Sequence, residues 1–186
     1  MVKGVIIKDG FPDLERSLKN LIAKQVLVGV PSQNADRQDG DPVNNATRAY
    51  IHDNGSPAQH IPPRPFMAPG IQQAKAVILK HMDRAAQDGL DGHDPEPAMG
   101  RAGTAAVSSI RNVIRTADFA PLAESTILNR YRSRRTKSMR PDEKEFQRLV
   151  DADMSVEEAQ KIAGIRPLIN TGEMQKSITY VIRKTP

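Results

Sequence analysis

Apolar residues recur along this chain with two periods, and the two periods divide it into short strands and longer helices. "VKGVII" (2 to 7) and "VLVGV" (26 to 30) are compact apolar runs that predict strands. Between them Pro12 suits a first helical position, and Leu14, Leu18, Leu21 and Ile22 share one helical face. This opening suits a right-handed crossover between parallel strands. A helix with Ala46, Tyr50 and Ile51 on one face follows and stops at Asn54-Gly55. Two further helices are predicted over 67–87, carrying Ile71, Ala74, Val77, Ile78 and Met82, and over 103–118, carrying Val107, Ile110, Ile114 and Ala117. The stretch "DGLDGHDPEPAMG" (88 to 100) separates them. The chain closes on "PLINTGEMQKSITYVIRK" (167 to 184), where Asn170 or Thr171 caps one helical turn. Ile178, Tyr180 and Ile182 then alternate with Thr179, Val181 and Arg183, the period of a half-buried strand.

Residues 119–166 differ in kind. They hold the run "NRYRSRRTKSMRP" and two short helical stretches, "DEKEFQRLV" and "SVEEAQKIAG". The second opens with Ser155 and Glu158 at capping-box spacing and closes on Gly164. The order of elements predicts an α+β fold: a small mixed sheet, helices packed mainly over one face, and an extended polar arm or excursion. One core domain is expected from 1–118 together with 167–186, interrupted by a basic, partly helical excursion over 119–166.

Composition narrows the classes. The 186 residues include no cysteine, which excludes disulfides and thiolate metal sites and fits a reducing compartment. No apolar run reaches the length of a membrane span, and "MVKGVIIKDG" has too short an apolar core for a signal peptide, so no membrane partner is expected. Aromatics are only 4% and hydrophobic residues 38%, a thin aliphatic core that benefits from partners. The net charge is +5, but its distribution matters more: Lys and Arg against Asp and Glu run 11 to 12 over 1–100, 9 to 2 over 101–141, and 7 to 8 over 142–186.

Catalytic patterns are missing: no HExxH, no Walker loop and no dinucleotide GxGxxG occurs. Asp36, Asp39 and Asp41 have the composition of a calcium loop but not its alternation, since Gln38 and Gly40 intervene. His52, Asp53 and His60 lack a further ligand in the pattern, and Ser108, Ser125 and Ser177 have no base beside them. The expectation is therefore a protein that is not an enzyme, with no cofactor and no metal. The excess of arginine lies in Arg130, Arg132, Arg134, Arg135, Lys137 and Arg140, residue types suited to forked contacts with phosphate or carboxylate. They are the candidate surface for a partner or for sequence-independent contact with DNA.

"HIPPRPF" (60 to 66) is the stiffest stretch in the chain. Proline fixes its own φ and biases its predecessor to extended backbone, so "IPPRP" predicts a strap that delivers Phe66 to the core at a fixed angle. Phe66 is expected to be a buried anchor and Arg64 to meet an acidic group or a carbonyl.

These residues carry a resemblance. "VLVGV", a helix ending in "YIHDNGSP", "HIPPRPFMAPGI" and, far downstream, "PLINTGEMQKSITYVIR" together resemble the tailed-phage virion morphogenesis family typified by the Mu tail completion protein, and the related head-tail joining proteins of long-tailed phages. One family motif corresponds to Gly55, Ile61, Pro62, Arg64, Pro65 and Phe66. A second corresponds to Pro167, Leu168, Thr171, Gly172, Ser177 and Ile178. Pro63 and the Pro69-Gly70 pair depart from the pattern, the latter displacing the expected helix start by a turn. Segment 119–166 is matched only loosely. The resemblance implies a virion structural protein at the neck or head-proximal tail end, made in the host cytoplasm. It implies a homo-oligomeric ring, hexameric, whose partners are the tail terminator, tail tube or connector, with non-specific DNA contact in the channel. The alternative reading, from the basic run alone, is a small DNA-binding protein using residues 130–140.

Overall fold

The computed structural model describes residues 15, 16, 19, 23–37, 42–132 and 138–185. Glu15, Arg16 and Lys19 have helical backbone, within the helix expected after Pro12. The strand expected at 2–7 lies outside the described residues, as do Arg134, Arg135 and Lys137.

The fold is α+β. Strand β1 (Lys24–Gly29) pairs antiparallel with β2 (Thr179–Lys184), joining the early chain to its end, with Val26 opposite Ile182 and Val28 opposite Tyr180. Those two pairs share one face and pack inward, whereas Leu27, opposite Val181, points the other way and is 40% exposed. Among the described residues the sheet is this antiparallel ribbon, and the strand that would make it mixed is the one expected at 2–7.

Helix α1 (Asn45–Asn54) is capped by Asn44, whose Oδ1 accepts from Thr47 N at 2.9 Å, and is closed by Gly55 at φ 79°. Its inner face is not the expected one. Tyr50 is 69% exposed, and Ala49 packs against the core instead, because the helix is turned to aim Asp53 at the start of the next helix. That helix, α2 (Met67–Leu90), is about 36 Å long at 1.5 Å per residue and forms a hairpin with α3 (Glu96–Thr116).

Both hairpin helices depart from their expected limits. Pro69-Gly70 does not delay α2, because Pro69 lies in a first turn whose N–H groups lack helical partners anyway. Gly70 is the residue that lets the hairpin close: a Cβ there would lie 2.6 Å from Ile110 Cα. Helix α3 starts at Glu96, seven residues before the periodic apolar signal, for the same reason. Pro97 occupies its first turn, and Asp94 Oδ1 accepts from Glu96 N at 3.1 Å. Gly100 and Gly103, which look like breakers in sequence, face Tyr180 of β2.

The main core holds Phe66, Ile110, Val113, Ile114, Leu168, Met174 and Ile178. The excursion is folded, with α4 (Glu124–Arg132), α5 (Pro141–Asp151) and α6 (Val156–Ala163) around Leu122, Ile127, Phe146, Leu149, Ala159 and Ile165. Helix α4 has no clear periodic signal, and the two short helices are core elements of this unit rather than loose pieces. The Ser155–Glu158 cap forms as expected. One helical turn, α7 (Glu173–Ser177), leads into β2.

Candidate functional site

The proline strap alternates. Over residues 63–66, Pro63 and Pro65 are exposed while Arg64 and Phe66 are buried, the two-residue period of extended backbone. Three contacts fix it to the end of α1. Ser56 and Ile61 exchange backbone hydrogen bonds at 2.8 and 3.0 Å, and Arg64 N donates to His52 O at 2.8 Å. Asp53 Oδ1 then accepts from Phe66 N at 2.7 Å and Met67 N at 2.9 Å, capping α2 from a neighbouring helix. Gly55 is required twice over: its φ is positive, and a Cβ would lie 2.9 Å from both Ile61 O and Pro63 N.

Arg64, only 3% exposed, meets carbonyls rather than an acid. Its Nε donates to Ala120 O at 2.7 Å and an Nη to Pro121 O at 2.8 Å, holding the point where the excursion leaves α3. Phe66 is fully buried beside Leu168 and Ile178. The two motif segments, about a hundred residues apart in sequence, thus share one core.

The second motif is fixed from several sides. Gly172 takes φ 79°, Thr171 Oγ1 accepts from Glu173 N at 3.4 Å, and Ser177 Oγ donates to Met174 O at 2.7 Å. Ser177 is engaged as a helix-end hydroxyl. Arg111 of α3 closes the end of α7 by donating to Gln175 O, Lys176 O and Ile178 O.

The basic residues split. Arg130 donates to Arg166 O at 3.3 Å and Pro167 O at 3.0 Å, and Arg140 to Asn170 O at 2.8 Å, so both ends of the basic run are tied to the second motif. At these two positions the polar excursion is anchored, because each guanidinium satisfies carbonyls of an irregular segment that lacks a ladder. Arg132 is exposed.

Where α1, α4 and the second motif meet, they leave a cleft of about 200 Å³, bordered by Arg37, Arg48, His52, Arg130, Asn170 and Glu173. Burial, with the charges of Arg64, Arg48 and Arg130 added, lowers the His52 pKa from 6.5 to about 4, so its ring is neutral at pH 7. Sequence reasoning missed this cleft, since Arg37 and Arg48 sit far from the basic run. It also missed Gln160, buried in the excursion, whose amide exchanges hydrogen bonds with Leu122 N at 2.8 Å and Leu122 O at 2.7 Å. Among the described residues no group of three or more His, Cys, Asp or Glu is placed to hold a metal, and no helix is long and apolar enough to cross a membrane. No protein-family model, no curated protein and no solved structure matches this chain.

Proposed function

We propose that this chain is a structural protein of a tailed bacteriophage virion that completes the tail or joins it to the head by assembling as a ring, hexameric as the resemblance implies. The role is binding rather than turnover: subunit contacts close a ring around the path of DNA, and neighbouring tail terminator, tail tube or connector proteins dock on it. The observation that carries the reading is the joint between the two motifs that bear the resemblance. Gly55 and Arg64 fix the strap that delivers Phe66, and Phe66 shares one core with Leu168 and Ile178, in a framework whose polar contacts hold backbone together and, among the described residues, present no nucleophile with a base. An exposed ribbon face at Leu27 and the solvent-facing Ile71, Val77 and Leu79 of α2 offer apolar surface for a neighbouring subunit.

The DNA-binding alternative is less favoured, because Arg130 and Arg140 already bond to carbonyls. Sedimentation velocity across a range of concentrations, with and without duplex DNA, separates the two readings. Concentration-dependent ring species and salt-erased DNA binding support the ring. A monomer or dimer that binds duplex tightly at physiological salt refutes it.

A further inference from the structure

The stop of α1 places an Asn-Gly pair, Asn54-Gly55, directly beside the strap, and no other asparagine of the chain precedes a glycine. In such a pair the backbone nitrogen after asparagine can attack the side-chain amide, because glycine has no Cβ to obstruct the five-membered ring that forms. The joint uses Gly55 for its left-handed φ of 79° and its bare α-carbon. The exposed Asn54 side chain bonds back to its own helix and not to the strap.

Two hydrogen bonds occupy both reacting groups while the joint is closed. Gly55 N donates to Ile51 O at 2.7 Å, so a nitrogen stripped of that proton would face a carbonyl oxygen. Asn54 Nδ2 donates to Tyr50 O at 3.0 Å, which holds the leaving group against its own helix. Both acceptors belong to the last turn of α1, so both bonds are lost together when that turn frays. The loop beyond is suited to opening. Pro57, Ala58, Gln59 and His60 are all exposed, and His60 holds a left-handed φ of 52°, uncommon for a residue with a Cβ. What closes it is the pairing of Ser56 with Ile61 and the hydrogen bond from Arg64 N to His52 O.

We propose that Asn54 is a latent deamidation site, silent while the joint is closed and modified when the end of α1 parts from the strap. On opening, Gly55 N gives its proton to hydroxide and bonds to Asn54 Cγ, the bond from Cγ to Nδ2 breaks, and ammonia leaves. Water then opens the succinimide at Cγ, giving aspartate, or at the backbone carbonyl carbon, giving isoaspartate. The step needs no reagent but water and hydroxide. Isoaspartate adds one carbon to the main chain directly before Gly55, where a Cβ would already lie 2.9 Å from Ile61 O and Pro63 N, so the lengthened chain no longer fits that approach. Opening of the joint is thereby recorded as an irreversible mark at the place that holds the strap. The proposal is independent of the virion reading and stands or fails without it.

The test incubates the purified chain and a synthetic peptide of residues 48–60 in mildly alkaline buffer and follows aspartate and isoaspartate at position 54 by peptide mapping and mass spectrometry. The folded chain is expected to react at least about a hundredfold more slowly than the peptide, because the site is available only in the open fraction. Phe66→Ala, which loosens the strap without altering the residues around Asn54, should raise the rate by about tenfold or more. Gly103→Ala, which acts at the contact of α3 with β2, should leave the rate unchanged. Asn54→Gln, which would need a six-membered ring, should keep its melting temperature on storage while the wild type loses it. Equal rates in chain and peptide, no acceleration by Phe66→Ala, equal acceleration by Gly103→Ala, or parallel ageing of wild type and Asn54→Gln would each overturn the proposal. If Phe66→Ala does not fold, urea below the unfolding transition decides: the wild-type rate should rise less steeply with urea than global unfolding does, and an equal slope would overturn the proposal.

Discussion

Arg64 Nε donates to the carbonyl of Ala120 at 2.7 Å, across 56 residues of sequence, and by this contact the proline strap holds the start of the excursion. A buried guanidinium with carbonyl acceptors on either side of a chain exit acts as a clamp, since its removal leaves two carbonyls unpaired.

Arg64→Gln should therefore destabilise the chain by about 2 to 3 kcal/mol, with the excursion affected first. Amide exchange is the measurement: protection at 141–163 should fall well before protection in α3. Equal losses in both regions would show that Arg64 serves the main core rather than the exit.

Phe66 is fully buried among Ile110, Ile114 and Leu168, so Phe66→Ala should cost about 3 to 5 kcal/mol in urea melts. A loss below about 1 kcal/mol would contradict the anchor role.

Much of this was legible before the structure. The strap, the cap at Ser155, the stop at Gly55 and the closing strand follow from backbone constraints that act over a few residues, which is why local sequence specifies them. The limits of α3 were not legible, because Gly100 and Gly103 weaken a helix locally and are justified only by Tyr180, about eighty residues away. The excursion core was hidden for a similar reason: Leu122, Ile127 and Phe146 lie on three separate segments, each too short to show a strong period. The cleft was hidden because its arginines are dispersed along the chain and come together only in the folded structure.

The contact between Gly103 and Tyr180 is a direct test of that long-range dependence. A Cβ at Gly103 would lie 2.4 Å from Tyr180 Cγ. Gly103→Ala should cost about 1 to 3 kcal/mol despite the better helix propensity of alanine. Adding Tyr180→Ala should recover part of that loss in a double-mutant cycle. Additive effects would mean that the ring and the helix do not compete for the same space.

His52 predicts an acid-side weakness. Its pKa is about 4 when folded against 6.5 for the unperturbed group, so between these values the unfolded chain holds more protons. Its contribution is complete above about pH 6.5 and is lost as pH falls through that window, on the order of 3 kcal/mol in total. Urea melts of the wild type and of His52→Gln from pH 7.5 to 4 check this: the wild type should lose more stability on acidification than the variant. Parallel curves would place the His52 ring in water.

The virion reading is tested most directly by cryo-electron microscopy of the necks of particles purified from cells that produce this chain. The account predicts a ring of this chain between head and tail, six-fold in symmetry, with α2 and the outer face of the β1–β2 ribbon at subunit contacts. Intact, joined particles whose necks contain no density for this chain would contradict it.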